Sequence, residues 1–490
     1  VGPITTRDQL VVALQKAANL EHQLMLQYLY TGFTLKRGHD ATCTPAQYEV
    51  VRRWSSTLFM IARQEMEHLS LANGILTAIG AMPHFARQNI PPAGLLSEHY
   101  RGDTLAQGAH DNDPTPKSLR YAFTPFDLPT VERFVCGESP PYAKLPAKMK
   151  PMWCFQCHGG PPEAESAVKE EPVLPAGADP ESVAAGTVEE LYTEIKKAIA
   201  KLDGIFVDNP REVEVPVEYN VFVFPVTDRR TAIAAIDLIL EQGEGLADPW
   251  NHDSHFRRFF EIHSEFVAMR ARDTHFDPAY WMLPSPVLGK ICNEVTKQVF
   301  NVANEAYVTL CLILASLYER AVPAHMEKGP YLSTALSQNA FAPAMTMILR
   351  ALNEVLVLLP VEEKPEPDFQ RTGSNFYIGT DDLKLLTNPR DADLGNITFL
   401  LERWKKLTTQ IRDAATSAAG AAETKGTGVT KDIAVSLGYI RESACRTYAN
   451  LNYTYHNGLY EKFAKVPPKV PSKIPPEPPT PARATSSGGA

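Results

Sequence analysis

Long apolar runs are missing from this chain. No stretch approaches the roughly 18 residues that a membrane-spanning helix needs, and the best run, Tyr307 to Leu317, suits a buried core helix. No membrane span is therefore expected. Positive charge is short as well: 48 Lys+Arg against 57 Asp+Glu leave a net charge of -9, with no broad basic field to collect nucleic acid or an anionic membrane. Cysteine is sparse and odd in number, and Cys43, Cys136, Cys154, Cys157, Cys292, Cys311 and Cys445 do not make the framework that staples small secreted domains. Several catalytic signatures are absent too. There is no P-loop lysine motif and no Gly-x-Ser-x-Gly elbow, and Gly243-Glu244-Gly245 lacks the third glycine and the strand of a dinucleotide fingerprint. No charged-then-apolar leader opens the chain at Val1, so an export signal has been removed or never existed.

What is present is a globular composition, 44% hydrophobic and 21% charged, which excludes a wholly disordered or fibrous chain. Its 490 residues are about three times the usual single-domain size, room for one large domain with an insert or for several packed units. The one excess is proline, 40 residues.

The first helix is expected from Thr6 to about Lys36, opened by a capping box of Thr6 with Gln9. Leu10, Leu14, Ala17, Glu21, Leu24 and Tyr28 recur at spacings of three and four and form its inward stripe. A second helix, Pro45 to Ile79, repeats the pattern through Trp54, Leu58, Ile61, Glu65, His68, Ala72, Ile75 and Ile79, and Gly80 and Pro83 stop it. These two occupy residues 1–90 as the first helical pair of a bundle. Residues 91–225, with clustered prolines and glycines, read as an irregular insert holding one short helix near Val188 to Leu202 and a strand or two. Helical patterning returns over 226–390: Thr231 to Glu244, a fourth helix after Pro249 carrying His252, His255, Phe259, Ile262, Phe266 and Met269, then Ile291 to Arg320 and Ala342 to Leu359. Residues 391–465 read as additional C-terminal helices joined by the Gly-rich link Lys425 to Gly428, and 466–490 as a Pro-rich disordered tail. The expected fold is all-α.

Glu21, Glu65 and His68 interrupt otherwise apolar stripes, where ionised carboxylates need a compensating charge. A metal ion supplies one. Glu65-x-x-His68 projects two side chains from one helical turn, as carboxylate-bridged di-metal bundles require, and Glu21 stands where an adjacent helix adds its glutamate. The plainer alternative is a hydrogen-bonded Glu–His pair with a structural role. The second half repeats the theme less cleanly. Glu241 and Glu244 close the third helix as alternative ligands, His255 lies a short loop away, and His252 stands where a repeat of Glu-x-x-His would want glutamate. That substitution allows either an imidazole ligand or a weak second position. His22 reads as a core or supporting residue rather than a ligand.

Three stretches resemble one known family: Asn19-Leu20-Glu21-His22-Gln23-Leu24 running on to Gln27-Tyr28-Leu29-Tyr30, then Ile61-Ala62-Arg63-Gln64-Glu65-Met66-Glu67-His68-Leu69, then Ala81-Met82-Pro83-His84-Phe85. The chain is similar there to the ferritin-like iminophenyl-pyruvate dimer synthases, a family related to domains of the violacein and chromopyrrolate synthases. Glu241 to Gly245, Ser254-His255-Phe256 and Phe300-Asn301 look like its later blocks. The resemblance covers roughly residues 5–390, leaving out the insert and the C-terminal hundred residues. It implies a ferritin-like helical bundle, a site for one or two non-haem iron ions, and oxidative chemistry on imines derived from aromatic amino acids.

Within the insert, Cys154-Phe155-Gln156-Cys157-His158 matches the attachment motif of a covalent c-type haem, with His158 as axial ligand. A redox disulfide, half of a zinc site and an ordinary loop pair fit the same residues. With haem the protein would be periplasmic or secreted, and without it cytoplasmic. The reading that joins these features is a metal-dependent oxidoreductase acting with dioxygen or peroxide on an aromatic or amino-acid-derived small molecule, with haem as an electron relay. Glu21, Glu65, His68, Glu241 or Glu244, and His255 hold the metal, and Tyr28, Trp54 and Phe59 are neighbours. The rival is a non-catalytic metal or haem protein that stores or transfers electrons to a redox partner.

Overall fold

The computed structural model describes residues 3–87, 89–90, 122–138, 188–208, 210, 213, 223–243, 254–283, 286–320, 336–337, 339–366, 368–389 and 397–456. Among them the regular elements are helices, and β pairing is confined to isolated bridges such as Leu35 with Ala279. In chain order they are α1 (Arg7–Thr34), α2 (Pro45–Ala78), α3 (Leu128–Gly137), α4 (Val188–Lys201), α5 (Arg229–Gly243), α6 (His255–Arg272) and α7 (Glu294–Arg320). A π-helical run, Ala340–Arg350, with Pro343 inside it, leads into α8 (Ala351–Leu356), followed by α9 (Thr380–Thr387), α10 (Ile397–Ala422) and α11 (Lys431–His456).

The first two helices begin where the sequence places them. Thr6 accepts from the Gln9 backbone and Thr44 from the Gln47 backbone, and each glutamine side chain reaches back to complete its capping box. The two helices pack as an antiparallel hairpin, the spine of the molecule. Around one end, Leu10, Leu14, Leu71 and Ile75 bury against Tyr192, Ile195 and Ile199 of α4 and Ile236 and Leu240 of α5. Around the other, Tyr28, Trp54, Leu58 and Ile61 bury against Phe134 of α3 and Phe259 and Phe266 of α6. Each fully buried aliphatic or aromatic side chain in these clusters contributes about 1.5–3 kcal/mol. Glu21, Glu65 and His68 lie on the spine between the two clusters.

A further face of the spine, with Ala18, Leu26, Leu69 and Ala72, packs on α7, whose other side is covered by Trp404, Leu407 and Ile411 of α10, and α11 packs on α10 and the π-helical run through Leu437 and Ile440. Within α7, Glu294–Glu319 is long and apolar enough to cross a bilayer by length and composition, but 78% of its most apolar window is buried inside the molecule. That burial marks it as a core helix.

The insert departs from its expected character. The helix near Val188 forms as read, but a second one, α3, stands at Leu128–Gly137, and no strand occurs among the described residues there. Asp127 caps α3 by accepting from the Thr130 backbone, and Pro129 sits in its first turn, so local helix-start chemistry was present in the sequence. The Pro-rich tail expected over 466–490 lies outside the described residues.

Candidate metal centre

Glu21 projects from α1, and Glu65 and His68 from successive turns of α2, because three- and four-residue spacings on a helix share a face. All three are at most 2% exposed. Glu138, the residue that ends α3, and His255, the first residue of α6, reach the same place from the opposite end of the bundle and are 3% and 0% exposed. The ligand atoms of Glu21, Glu65 and His68 lie within 4.8 Å of one another, and so do those of Glu65, Glu138 and His255.

Glu65 belongs to both groups. Its Oε2 is 3.0 Å from His68 Nδ1 and its Oε1 is 3.0 Å from His255 Nδ1, so one carboxylate stands between two imidazoles. Glu21 Oε2 lies 3.5 Å from His68 Nδ1, and Glu138 Oε2 lies 3.6 Å from His255 Nδ1. The far side of each ring is held by an amide. Gln242 Oε1 is 2.9 Å from His68 Nε2, and Gln64 Oε1 is 3.3 Å from His255 Nε2 while it accepts from Arg258 Nη1 at 2.8 Å. An amide oxygen can only accept, so each Nε2 carries a proton, and Nδ1 is the ring atom left to face the carboxylates, able to bind a cation once its own proton is lost. Tyrosines hold the outer acids: Tyr192 donates to Glu21 Oε1 at 2.5 Å, and Tyr28 donates to Glu138 Oε1.

Without a cation, protons balance this cluster. Burial and the neighbouring Glu65 charge push Glu21 up to about 8. Burial works against ionising Glu65 as well, yet the neighbouring His255 charge and the hydrogen bond to His68 hold it well below the usual carboxylate range. The imidazoles move the other way against their own burial. Hydrogen bonds to Glu21 and Glu65 raise His68 well above an ordinary histidine, and the Glu65 charge raises His255 to about 9. Burial and the adjacent carboxylates raise Tyr192 and Tyr28 well above a free phenol, so both remain neutral donors.

The residues fit a cation. Nδ1 of His255 is buried without a hydrogen-bond partner although it lies between two carboxylates, the arrangement of a ring nitrogen aimed at an ion rather than at an oxygen. Carboxylates and imidazoles together suit iron, manganese or zinc rather than a soft thiolate-seeking metal. Two such groups sharing one glutamate match the di-metal carboxylate pattern.

Of the residues expected from the sequence, Glu21, Glu65, His68 and His255 come together. Glu241 does not. Its side chain is exposed on α5, because the next residue, Gln242, takes the inward position and reaches His68. Glu244, His252, Cys154, Cys157 and His158 lie outside the described residues. Cys136, two residues before Glu138, is disulfide-bonded, whereas Cys43, Cys292, Cys311 and Cys445 are free. His22 points to α7 and meets Tyr307 Oη at 2.9 Å. Trp54 donates to Glu265 and Phe59 packs on Phe33, both away from the cluster, whereas Tyr28 touches it. Glu138 is the member of the cluster that sequence reasoning missed. It follows the helix-start signal of α3 by one short helix, inside a segment whose prolines and glycines read as irregular.

The ferritin-like family profile matches residues 14–264, a span that holds every member of the cluster from Glu21 to His255. The chain belongs to the ferritin-like family. This ferritin-like protein is 23% identical over 399 residues to dichlorochromopyrrolate synthase of Lentzea aerocolonigenes, covering 73% of this chain and 35% of that one. It is 27% identical over 394 residues to 2-imino-3-(indol-3-yl)propanoate dimerase of Chromobacterium violaceum, covering 73% and 33%. The chain thus spans about a third of the length of these relatives. A crystal structure of a ferritin like protein from Caulobacter vibrioides aligns with 69% of this chain and 95% of its own at 17% identity and a TM-score of 0.37.

Proposed function

We propose that this ferritin-like protein is an oxidoreductase whose buried cluster holds two non-haem iron ions, one by Glu21, Glu65 and His68 and the other by Glu65, Glu138 and His255. The observation that carries the reading is Glu65 set between two imidazoles, 3.0 Å from each, with Tyr192 and Tyr28 closing the outer acids. Iron there supplies one-electron chemistry toward dioxygen or peroxide. The chain's own residues do the rest. Gln242 and Gln64 fix the imidazole tautomers, the two phenols donate to Glu21 and Glu138, and the apolar clusters at either end keep bulk water from the carboxylates. The name of one relative, a 2-imino-3-(indol-3-yl)propanoate dimerase, points to the substrate class, an imine derived from an aromatic amino acid, and to the joining of two such molecules.

Iron-loaded protein supplied with an aromatic imino acid generated in situ should consume dioxygen, and Glu65→Ala and His255→Ala should stop the uptake. Protein that binds iron but consumes no dioxygen with any aromatic imino acid would favour the storage or electron-transfer reading instead. A covalent haem on Cys154 and Cys157, with His158 as axial ligand, is a separate proposal that the cluster chemistry does not need, and because it takes both thiols it excludes a disulfide from either of them to Cys136. Haem retained by the denatured protein through acid–acetone extraction would support it, and complete extraction would refute it.

A further inference from the structure

The supports around the cluster are arranged by half. Glu21 and His68 sit on the α1–α2 spine but are held from outside it, by Tyr192 of α4 and Gln242 of α5. Glu138 and His255 arrive on α3 and α6 and are held by the spine, by Tyr28 of α1 and Gln64 of α2. Each half therefore has its own phenol on the outer carboxylate and its own amide on the imidazole, and only Glu65 is common to both. The halves also differ in how their ligands are carried. Glu21, Glu65 and His68 project from the interior of two long helices joined into one hairpin, whereas Glu138 and His255 occupy helix ends.

We infer that Tyr192 and Tyr28 are positioning residues that each serve one metal position, and that the two positions are inequivalent, the Glu21–Glu65–His68 position filling before the Glu65–Glu138–His255 position. This rests on the metal reading above. Ligands projecting from a rigid hairpin need little ordering to receive an ion, while ligands at helix ends add the cost of holding those ends in place. Removing one phenol should leave one outer carboxylate without its donor, so that it is misoriented toward the ion on its own side. The loss expected for such a supporting hydrogen bond is 10–100-fold in metal affinity. Replacement by phenylalanine keeps the ring, and both rings belong to buried apolar clusters, so the fold has no reason to change.

The test is an equilibrium titration of the metal-free protein, residues 1–490, with Co(II), followed by its visible absorption and by the metal-to-protein ratio. Wild type should fill in two steps. His68→Gln should remove the tighter step. Tyr192→Phe should weaken the tighter step by 10–100-fold, and Tyr28→Phe should weaken only the other. In the His68→Gln background, Tyr192→Phe should have no further effect while Tyr28→Phe keeps its own. A single step of two equal ions, or both phenylalanine variants weakening both steps alike, would overturn the inference while leaving the metal reading intact. Wild type that takes up no Co(II) would overturn the metal reading and this inference with it.

Discussion

At the scale of single residues, the site is governed by which groups can be neutralised in a dry interior. Glu65 has an imidazole on each oxygen, so under the two-iron proposal it is the residue whose loss should empty both positions. We expect Glu65→Ala to bind no iron by elemental analysis while its far-ultraviolet circular dichroism keeps most of the helical signal, because the apolar stripes supply the fold. Gln242 touches only one ring. Gln242→Leu should leave one ion bound with unchanged affinity and weaken the other by roughly 10–100-fold. Away from the cluster, burial lowers His84 from 6.5 to about 4, so it is held neutral in the folded protein. The unfolded chain protonates that imidazole first as the pH falls. Its contribution is therefore complete above about pH 6.5, declines by about 1.4 kcal/mol per pH unit between 6.5 and 4, and is lost below that. Urea unfolding at pH 7 and pH 5 should show His84→Gln falling less than wild type over that interval, and equal losses would contradict it.

At the scale of elements, the helices that carry ligands are placed by aromatic contacts. Phe259 of α6 is fully buried, and its ring centre lies 4.9 Å from Tyr28 and 5.2 Å from Phe134 of α3. It therefore joins the spine to both helices that deliver Glu138 and His255. Phe259→Ala should cost about 3–5 kcal/mol in denaturant unfolding. It should also lower iron stoichiometry toward one, since Glu21, Glu65 and His68 do not depend on that contact. The spine helices were readable because their signals are local: a capping box at each start, and apolar residues three and four apart. The short helix α3 was not, although Asp127 and Pro129 announce its start, because the surrounding prolines and glycines outweighed a segment of 10 residues.

At the scale of the whole molecule, α7 is buried between the spine and α10, the inner helix of the α10–α11 pair, and Trp404 of α10, 1% exposed, anchors that pair against it. Removing residues 397–490 should expose α7, which among the described residues is long and apolar enough to cross a bilayer. We expect the truncated protein to partition into the insoluble fraction or to bind a hydrophobic dye strongly, and a soluble truncation that binds no dye would show that α10 and α11 are not needed to cover α7. The same cover explains why a helix apolar enough to span a bilayer serves here as a core helix.

The sequence by itself determined the all-α character, the spine and the inward triad Glu21, Glu65 and His68, because helical periodicity places residues on a face without reference to any other part of the chain. It also carried the family resemblance that the profile match bears out. Which distant residues complete the cluster was decided only by tertiary packing. A helix turns about 100° per residue, so a step of one position separates the exposed Glu241 from Gln242 at His68. That rotation is set by how Ile236 and Leu240 seat against the spine. Glu138 and Tyr192 reach the site from segments more than a hundred residues along from Glu21, brought in by Phe134 and Ile195 burying at opposite ends of the same hairpin. No local pattern records that meeting, because the apolar surfaces that produce it are complementary only once both have formed.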